Sequence, residues 1–160
     1  MGYIEDLRKV IGSQPLILVG VAVAVVNDGG EFLLQKRSDG QWGVPGGFIE
    51  LGESTEEAGR REVFEETGLE IGRLDLVGVF SGKQHHVKLQ NGDEFYPVTA
   101  AYISKEILGG DLKADGEETI EARFFSVSEL PDQLNPLIKN LINQFALTIE
   151  RSAYAEKSKA

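Results

Sequence analysis

The chain has 160 residues, with 26 acidic and 16 basic side chains and a formal net charge of −10 at pH 7. This length indicates one domain with a genuine core, and the acidic charge argues against a general nucleic-acid binder. Cysteine is absent, which excludes disulfides, thiolate metal sites and a thiol nucleophile, and agrees with a cytoplasmic location.

The first elements are a short helix and a buried strand. Apolar residues at helical spacing predict the helix, namely Ile4, Leu7 and Ile11. The strand is predicted over Leu16–Asn27, and its apolar run, Leu16–Val26, is too short to span a bilayer. It could also be a signal-peptide core, but acidic as well as basic residues precede it. The turn residues 27–30 then predict a hairpin with a strand at Glu31–Arg37.

A second helix is predicted over residues 55–67. Ser54 and Glu57 have the spacing of a capping box, and Gly68 supplies the left-handed residue that usually ends a helix. Three of its carboxylates share one face, those of Glu62, Glu65 and Glu66. Like charges at this spacing destabilise a helix unless something compensates. A divalent cation such as Mg²⁺, which prefers oxygen ligands, would do so; a solvated acidic face is the alternative.

Beyond this helix the pattern is mainly that of strands. They are predicted at Leu74–Ser81, His85–Leu89, Glu94–Ile103 and Ile120–Val127. Asn91-Gly92 indicates a hairpin turn between the second and third of them. Asn135 and Pro136 open a final helix, whose apolar face consists of Leu137, Ile138, Leu141, Ile142 and Phe145. Strands mixed with two or three helices predict an α/β or α+β sandwich.

The acidic helix belongs to a longer motif that resembles the Nudix box. Its fixed residues are Gly47, Glu53, Arg61, Glu62, Glu65, Glu66 and Gly68, with aliphatic Val63 and Leu69 in the expected places. The resemblance implies an α/β fold, the Nudix-type α/β/α sandwich with a mixed central sheet. It would form a single domain over residues 1–151, with the short N-terminal helix, followed by a polar, flexible tail at 152–160.

The same resemblance implies an activity. Nudix hydrolases are metal-dependent and cleave a diphosphate linkage in a nucleoside diphosphate joined to another group, by attack of water on phosphorus. We therefore expect Mg²⁺, with Mn²⁺ as a substitute, a small-molecule nucleotide substrate and no membrane partner, and leave a homodimer open. The alternative is a non-catalytic Nudix-fold sensor of nucleotides, although such a protein would be expected to have lost box glutamates.

Roles for individual residues also follow from the resemblance. Glu62 and Glu66 are the expected main metal ligands, with Glu65 as a third ligand or the general base. Glu53 would orient the site or act as an alternative base. Arg61 would hold Glu62 in place by hydrogen bonding. The carbonyl of Gly46, just before the box, is a further expected ligand.

Residues outside the box give weaker signals. A late acidic loop contains Glu118, our first choice for an additional metal ligand, and Glu117, the second; a merely solvated loop is the alternative. Neither the proline nor the tyrosine that marks certain Nudix subfamilies stands sixteen to eighteen residues after the box, where His85, His86 and Val87 lie. The histidine pair could contact a phosphate or simply flank a strand. The sequence therefore leaves the substrate open.

Overall fold

The computed structural model describes residues 2–136 and 138–147. Its helices are α1 (Tyr3–Ile11), α2 (Thr55–Thr67) and α3 (residues 136–147, with position 137 outside the described residues). Its strands are β1 (Leu16–Val25), β2 (Phe32–Arg37), β3 (Trp42–Gly43), β4 (Gly46–Phe48), β5 (Leu69–Ile71), β6 (Asp75–Phe80), β7 (Val87–Lys88), β8 (Glu94–Ser104), β9 (Ile107–Gly110) and β10 (Thr119–Phe125). Nowhere in this described part is a helix long and apolar enough to cross a membrane.

The central sheet is mixed, with β1 in its middle. Strand β1 runs parallel to β8 along its whole length and antiparallel to the short edge strand β4. The order is β4-β1-β8-β6, and β7 also pairs with β8. A second sheet has the order β10-β2-β3, and β5 pairs with β9. The parallel pair β1 and β8 requires the long crossover that contains α2.

Strand β1 separates two cores because alternate residues point to opposite faces of the sheet. On one face Val21 and Val23 belong to the same buried cluster as Val63 of α2. On the other face Ala24 belongs to a cluster with Ile142 of α3. The sheet therefore lies between two helical layers, which confirms the predicted α/β/α sandwich with a mixed central sheet.

The predicted hairpin between the first two strands is wrong. The turn does form, and the N–H of Asn27 donates to the carbonyl of Glu31 at 3.0 Å. Only one isolated bridge, Val26 to Phe32, links the strands, and β2 then enters the other sheet. The reason is that a strand has two edges, and β4 and β8 already occupy both edges of β1.

Other predicted elements fare differently. The strand predicted at residues 85–89 begins instead with a helical turn, Lys83–His85, and keeps only the short β7. The hairpin turn at Asn91-Gly92 is confirmed, since the N–H of Leu89 donates to the carbonyl of Asp93 at 2.8 Å and Gly92 has φ +93°. The predictions for Leu137 and for the tail at 152–160 fall outside the described residues.

The N-terminus of α2 is fixed by the predicted capping box. The Ser54 hydroxyl accepts from the N–H of Glu57 at 3.0 Å, and the Glu57 carboxylate accepts from the N–H of Ser54 at 2.9 Å. At the other end Gly68 has φ +77° and closes the helix. These two signals define where the acidic helix starts and stops, and so determine which way its carboxylates point.

Removing the cap should destabilise the protein measurably. We expect Ser54→Ala to lower the free energy of unfolding by about 1 kcal/mol, because the N–H of Glu57 loses its acceptor. Urea unfolding followed by circular dichroism measures the change. Ser81→Ala, at an exposed position outside the helices and strands, is the matched control and should change stability little. Equal stability of both variants would show that the cap contributes nothing.

Candidate active site

One guanidinium, that of Arg61, holds three carboxylates of the predicted site. Its Nε and Nη2 donate to the two oxygens of Glu53 at 2.6 and 2.9 Å. Its Nη1 donates to Glu62 at 2.9 Å and to Glu65 at 3.2 Å, and Nη2 also donates to the carbonyl of Phe48 at 3.1 Å. Arg61 thus links Glu62 and Glu65 of α2 to the loop before the helix and to β4.

These contacts keep the Glu53 carboxylate in its charged form. Hydrogen bonds from Arg61 are the largest cause of a lowered pKa at Glu53, and the N–H of Glu50 donates to the same carboxylate at 3.0 Å. The same pairing raises the pKa of Arg61. Glu53 is therefore ionised, with both oxygens hydrogen-bonded. Its contacts suit an orienting role better than proton uptake.

Glu66 lies in the opposite environment. The residue is only 3% exposed to solvent, and its carboxylate accepts a hydrogen bond from the N–H of Gly46 at 3.1 Å. Burial raises the pKa of Glu66 to about 7, and burial also raises the pKa of Glu62. Two adjacent carboxylates of the helix are thus poorly solvated, which makes their charged forms costly without a cation.

Two glycines allow β4 to approach β1 and α2 closely. A Cβ on Gly46 would meet the carbonyl oxygen of Val21, and a Cβ on Gly47 would meet the Glu62 carboxylate. Residues 45 and 49 hydrogen-bond to β1 through their carbonyl and N–H groups respectively. Because such bonds alternate along an antiparallel strand, the polar backbone groups of Gly46 face away from β1.

A cleft of about 700 Å³ opens above these residues. It is strongly acidic, and its carboxylates come from Glu5, Asp39, Glu50, Glu62, Glu66, Glu117 and Glu118. Arg37 is the single cationic residue among the described residues that line it. Glu118 also contributes to the raised pKa of Glu62, which places its charge near the helix. The predicted residues Gly46, Glu62, Glu66, Glu117 and Glu118 therefore share one cleft.

Comparison with known proteins identifies this arrangement. The model of the NUDIX domain matches residues 16–145. The chain belongs to the Nudix family.

Several relatives and solved structures are similar over most of their length. A protein of Methanocaldococcus jannaschii named ADP-ribose pyrophosphatase is 36% identical over 132 residues, which cover 79% of this chain and 72% of that protein. A Bacillus subtilis protein provisionally named an 8-oxo-dGTP diphosphatase is 35% identical over 127 residues, covering 79% and 78%. The crystal structure of a MutT Nudix hydrolase from Burkholderia pseudomallei superposes with a TM-score of 0.66 at 29% identity, covering 82% and 98%. The chain is thus an enzyme, a Nudix hydrolase.

The other two carboxylates of the box, those of Glu53 and Glu65, lie beside the cleft and do not line it. The Glu65 side chain is 57% exposed and contacts Arg61, and Glu53 contacts Arg61 on the side of the preceding loop. No three acidic or histidine side chains in the described ranges stand close enough to form a ready-made metal cage. The donors that are present, two desolvated carboxylates and outward backbone groups of Gly46, nevertheless fit Mg²⁺, which keeps several waters of its own.

Trp42, five residues before the box, and the histidine pair do not line the acidic cleft. Trp42 is buried and packs edge-on against Phe125, with ring centroids 5.0 Å apart. The histidine pair divides: His85 lines a separate apolar cavity, whereas His86 pairs with Glu94 at 3.0 Å. Neither histidine lines the acidic cleft.

Sequence reasoning missed four charged residues that line the cleft. Arg37 is the last residue of β2 and Asp39 lies in the turn after it, Glu5 comes from α1, and Glu50 comes from the loop before α2. Glu50 stands inside the box, at one of its variable positions. For Glu5, Arg37 and Asp39 no pattern in the sequence indicated proximity, because each lies on an element whose place depends on tertiary packing.

The raised pKa of the buried Glu66 predicts how the stability of the metal-free protein depends on pH. Its pKa is about 7 in the folded state against an ordinary value of 4.5, so the folded state holds a proton that the unfolded chain releases. Without metal, stability should therefore fall as pH rises from about 4.5 to 7, by at most roughly 3 kcal/mol at 1.36 kcal/mol per pKa unit.

Urea unfolding in EDTA at pH 5 and pH 8 measures this loss. Glu66→Gln cannot titrate and should flatten the pH dependence, whereas Glu70→Gln, at an exposed position of β5, should retain it. An unchanged pH dependence in Glu66→Gln would show that another group is responsible.

Proposed function

We propose that this Nudix hydrolase cleaves a diphosphate linkage in a nucleoside diphosphate joined to a further group, with a divalent cation and by attack of water on phosphorus. The observation that carries the proposal is the pair of desolvated carboxylates, Glu62 and Glu66, in one cleft with Gly46 and Gly47. A cleft so acidic would repel a diphosphate. A cation bound by these carboxylates would reverse the local charge.

The cation would be Mg²⁺, with Mn²⁺ as a substitute. Glu62 and Glu66 would hold it, and the Gly46 carbonyl, Glu65 and Glu118 are the further candidates. Glu118 is preferred to Glu117 because its charge reaches Glu62. When bound, such an ion neutralises phosphate oxygens and lowers the pKa of a bound water.

The protein's own residues would position the reactants. Arg61 fixes the carboxylate of Glu62, and Glu53 fixes Arg61, so that the metal-binding carboxylate is held before a substrate arrives. The proton of the attacking water must pass to a carboxylate. Both oxygens of Glu53 already accept hydrogen bonds, so Glu65, whose side chain is 57% exposed and accepts a hydrogen bond from Arg61 through one oxygen, is the better candidate for the base.

An apolar cavity of about 200 Å³ offers a place for the nucleoside. Ala22 and Ala24 of β1 and Phe80 of β6 are among its lining residues, and Asn135 adds an amide. Ala22 is the direct strand partner of Gly46, which lines the acidic cleft. The cavity is thus lined by the strand next to the one that lines the cleft, and we propose it as the place of the nucleoside.

The names of relatives support the substrate class without deciding the substrate. One relative is named for ADP-ribose and another for 8-oxo-dGTP. Nothing in the site favours the alternative of a non-catalytic sensor. A cytoplasmic location and a homodimer remain predictions.

The metal-site assignment predicts large losses of activity. The substrate is found first by screening nucleotide sugars, ADP-ribose, dinucleoside polyphosphates, nucleoside triphosphates and capped RNA with Mg²⁺ or Mn²⁺. We then expect Glu62→Gln and Glu66→Gln each to reduce kcat by a factor of order 10² or more, since groups acting in the transition state are lost. Glu70→Gln should retain activity. Near-normal rates in both site variants, with the fold intact by circular dichroism, would refute the assignment.

The chemical course is tested with ¹⁸O-labelled water. Attack on phosphorus places the label on a phosphate of one product, which mass spectrometry of the two products detects. Among the described residues that line the cleft, no serine or threonine is hydrogen-bonded to a base. A covalent intermediate is therefore not expected. If the label appeared on the sugar of a product, or if a phosphoenzyme could be trapped, the mechanism would be contradicted.

A further inference from the structure

Helix α1 lies outside the region that the NUDIX model matches, yet it forms part of the catalytic cleft. The match begins at residue 16, whereas α1 covers residues 3–11. Gly2, Ile4 and Glu5 nevertheless line the same cleft as Glu62 and Glu66. In this chain one wall of the active site is therefore formed by a segment that precedes the residues matched by the family model.

The wall is held in place at both ends of the helix. At its N-terminus the N–H of Tyr3 donates to the Glu50 carboxylate at 3.0 Å. At its C-terminus Arg8 donates to the carbonyls of Gly12, Gln14 and Glu94 at 2.7–2.9 Å. No residue of α1 is fully buried, and these polar contacts hold both ends of the helix.

The Glu50 contact also connects α1 to the predicted catalytic residues. The N–H of Glu50 donates to Glu53 at 3.0 Å, and Glu53 binds Arg61. The N–H of Tyr3, in the first turn of α1, is thus bound by a carboxylate of the protein. What α1 presents to the cleft is Ile4 and the exposed, negatively charged Glu5.

We propose that α1 selects the substrate class, with Glu5 disfavouring substrates that carry further phosphates and favouring a diphosphate joined to an uncharged, hydroxyl-rich group. The inference rests on the proposed function. A cation held by Glu62 and Glu66 would neutralise the charge around the diphosphate, but Glu5 lies on a different wall. An additional phosphate would face it, whereas sugar hydroxyls can donate hydrogen bonds to a carboxylate.

The size of the effect follows from Coulomb's law. Two like unit charges about 10 Å apart in water repel by an amount equivalent to about twofold in binding; because ATP carries about two more negative charges than ADP-ribose and Glu5→Lys changes the side-chain charge by two units, the combined effect is roughly tenfold. Reversing the charge at Glu5 should therefore change selectivity by about that factor or more, without disturbing Arg61 and its partners.

The test compares ADP-ribose, as a diphosphate joined to a sugar, with ATP, as a substrate carrying one more phosphate. The ratio of kcat/KM for ATP to that for ADP-ribose is measured for the unsubstituted protein, Glu5→Lys and Asp6→Lys. Asp6 is the matched control, because it lies on the same helix, pairs with Lys9 and does not line the cleft. Both substitutions change the net charge equally.

We expect the unsubstituted protein to prefer ADP-ribose, Glu5→Lys to raise the ratio at least tenfold, and Asp6→Lys to leave it within about twofold. A preference for ATP, an unchanged ratio in Glu5→Lys, equal shifts in both variants, or turnover of neither compound would overturn the inference. The proposed function is judged separately, by Mn²⁺ binding measured with electron paramagnetic resonance. Loss of Mn²⁺ binding in Glu62→Gln would support the metal site even if α1 proved irrelevant to selectivity.

Discussion

The hydrogen bonds of Arg61 are the constraint on which the geometry of the site depends. A single guanidinium satisfies Glu53 with two donors and reaches Glu62, Glu65 and the backbone of β4 with the others. Without it, carboxylates on one helix face would repel one another and turn outward to water. Arginine suits this position because its planar fork offers donors in fixed directions, which the single ammonium group of lysine does not.

Burial then separates the carboxylates into two kinds. Glu53 and Glu65 contact the guanidinium, whereas Glu66 lies beneath β4 and accepts a hydrogen bond from the backbone N–H of Gly46. The same residue type therefore has a lowered pKa at position 53 and a raised pKa at position 66. This difference comes from the surroundings of each side chain, because both residues belong to one short segment of the chain.

The box region could be predicted from the sequence almost residue by residue, because its signals are local. The capping box and Gly68 define both ends of α2, and helical spacing puts its carboxylates on one face. The pairing of β1 with β4 and β8 could not be predicted in this way. Glycine-rich residues 46–48 do not read as a strand, and the turn at residues 27–30 indicated a hairpin that the occupied edges of β1 prevent. The cleft residues contributed by α1 and by the β2–β3 turn were missed for the same reason, since their proximity is a tertiary effect.

The close approach of Gly46 and Gly47 has a consequence for how such an enzyme can diversify. A side chain at Gly46 would collide with the backbone of β1, and one at Gly47 would displace the Glu62 carboxylate, so substitution on this flank of the cleft would disturb either the sheet or the site. The opposite flank includes residues of α1 and of the turn after β2, and none of these residues belongs to the buried clusters beneath α2 and α3. The residues proposed to carry out hydrolysis and those proposed to select the substrate therefore lie in different segments of the chain. A new preference can arise by exchanging a dozen residues at the start of the chain while the hydrolytic apparatus is left intact.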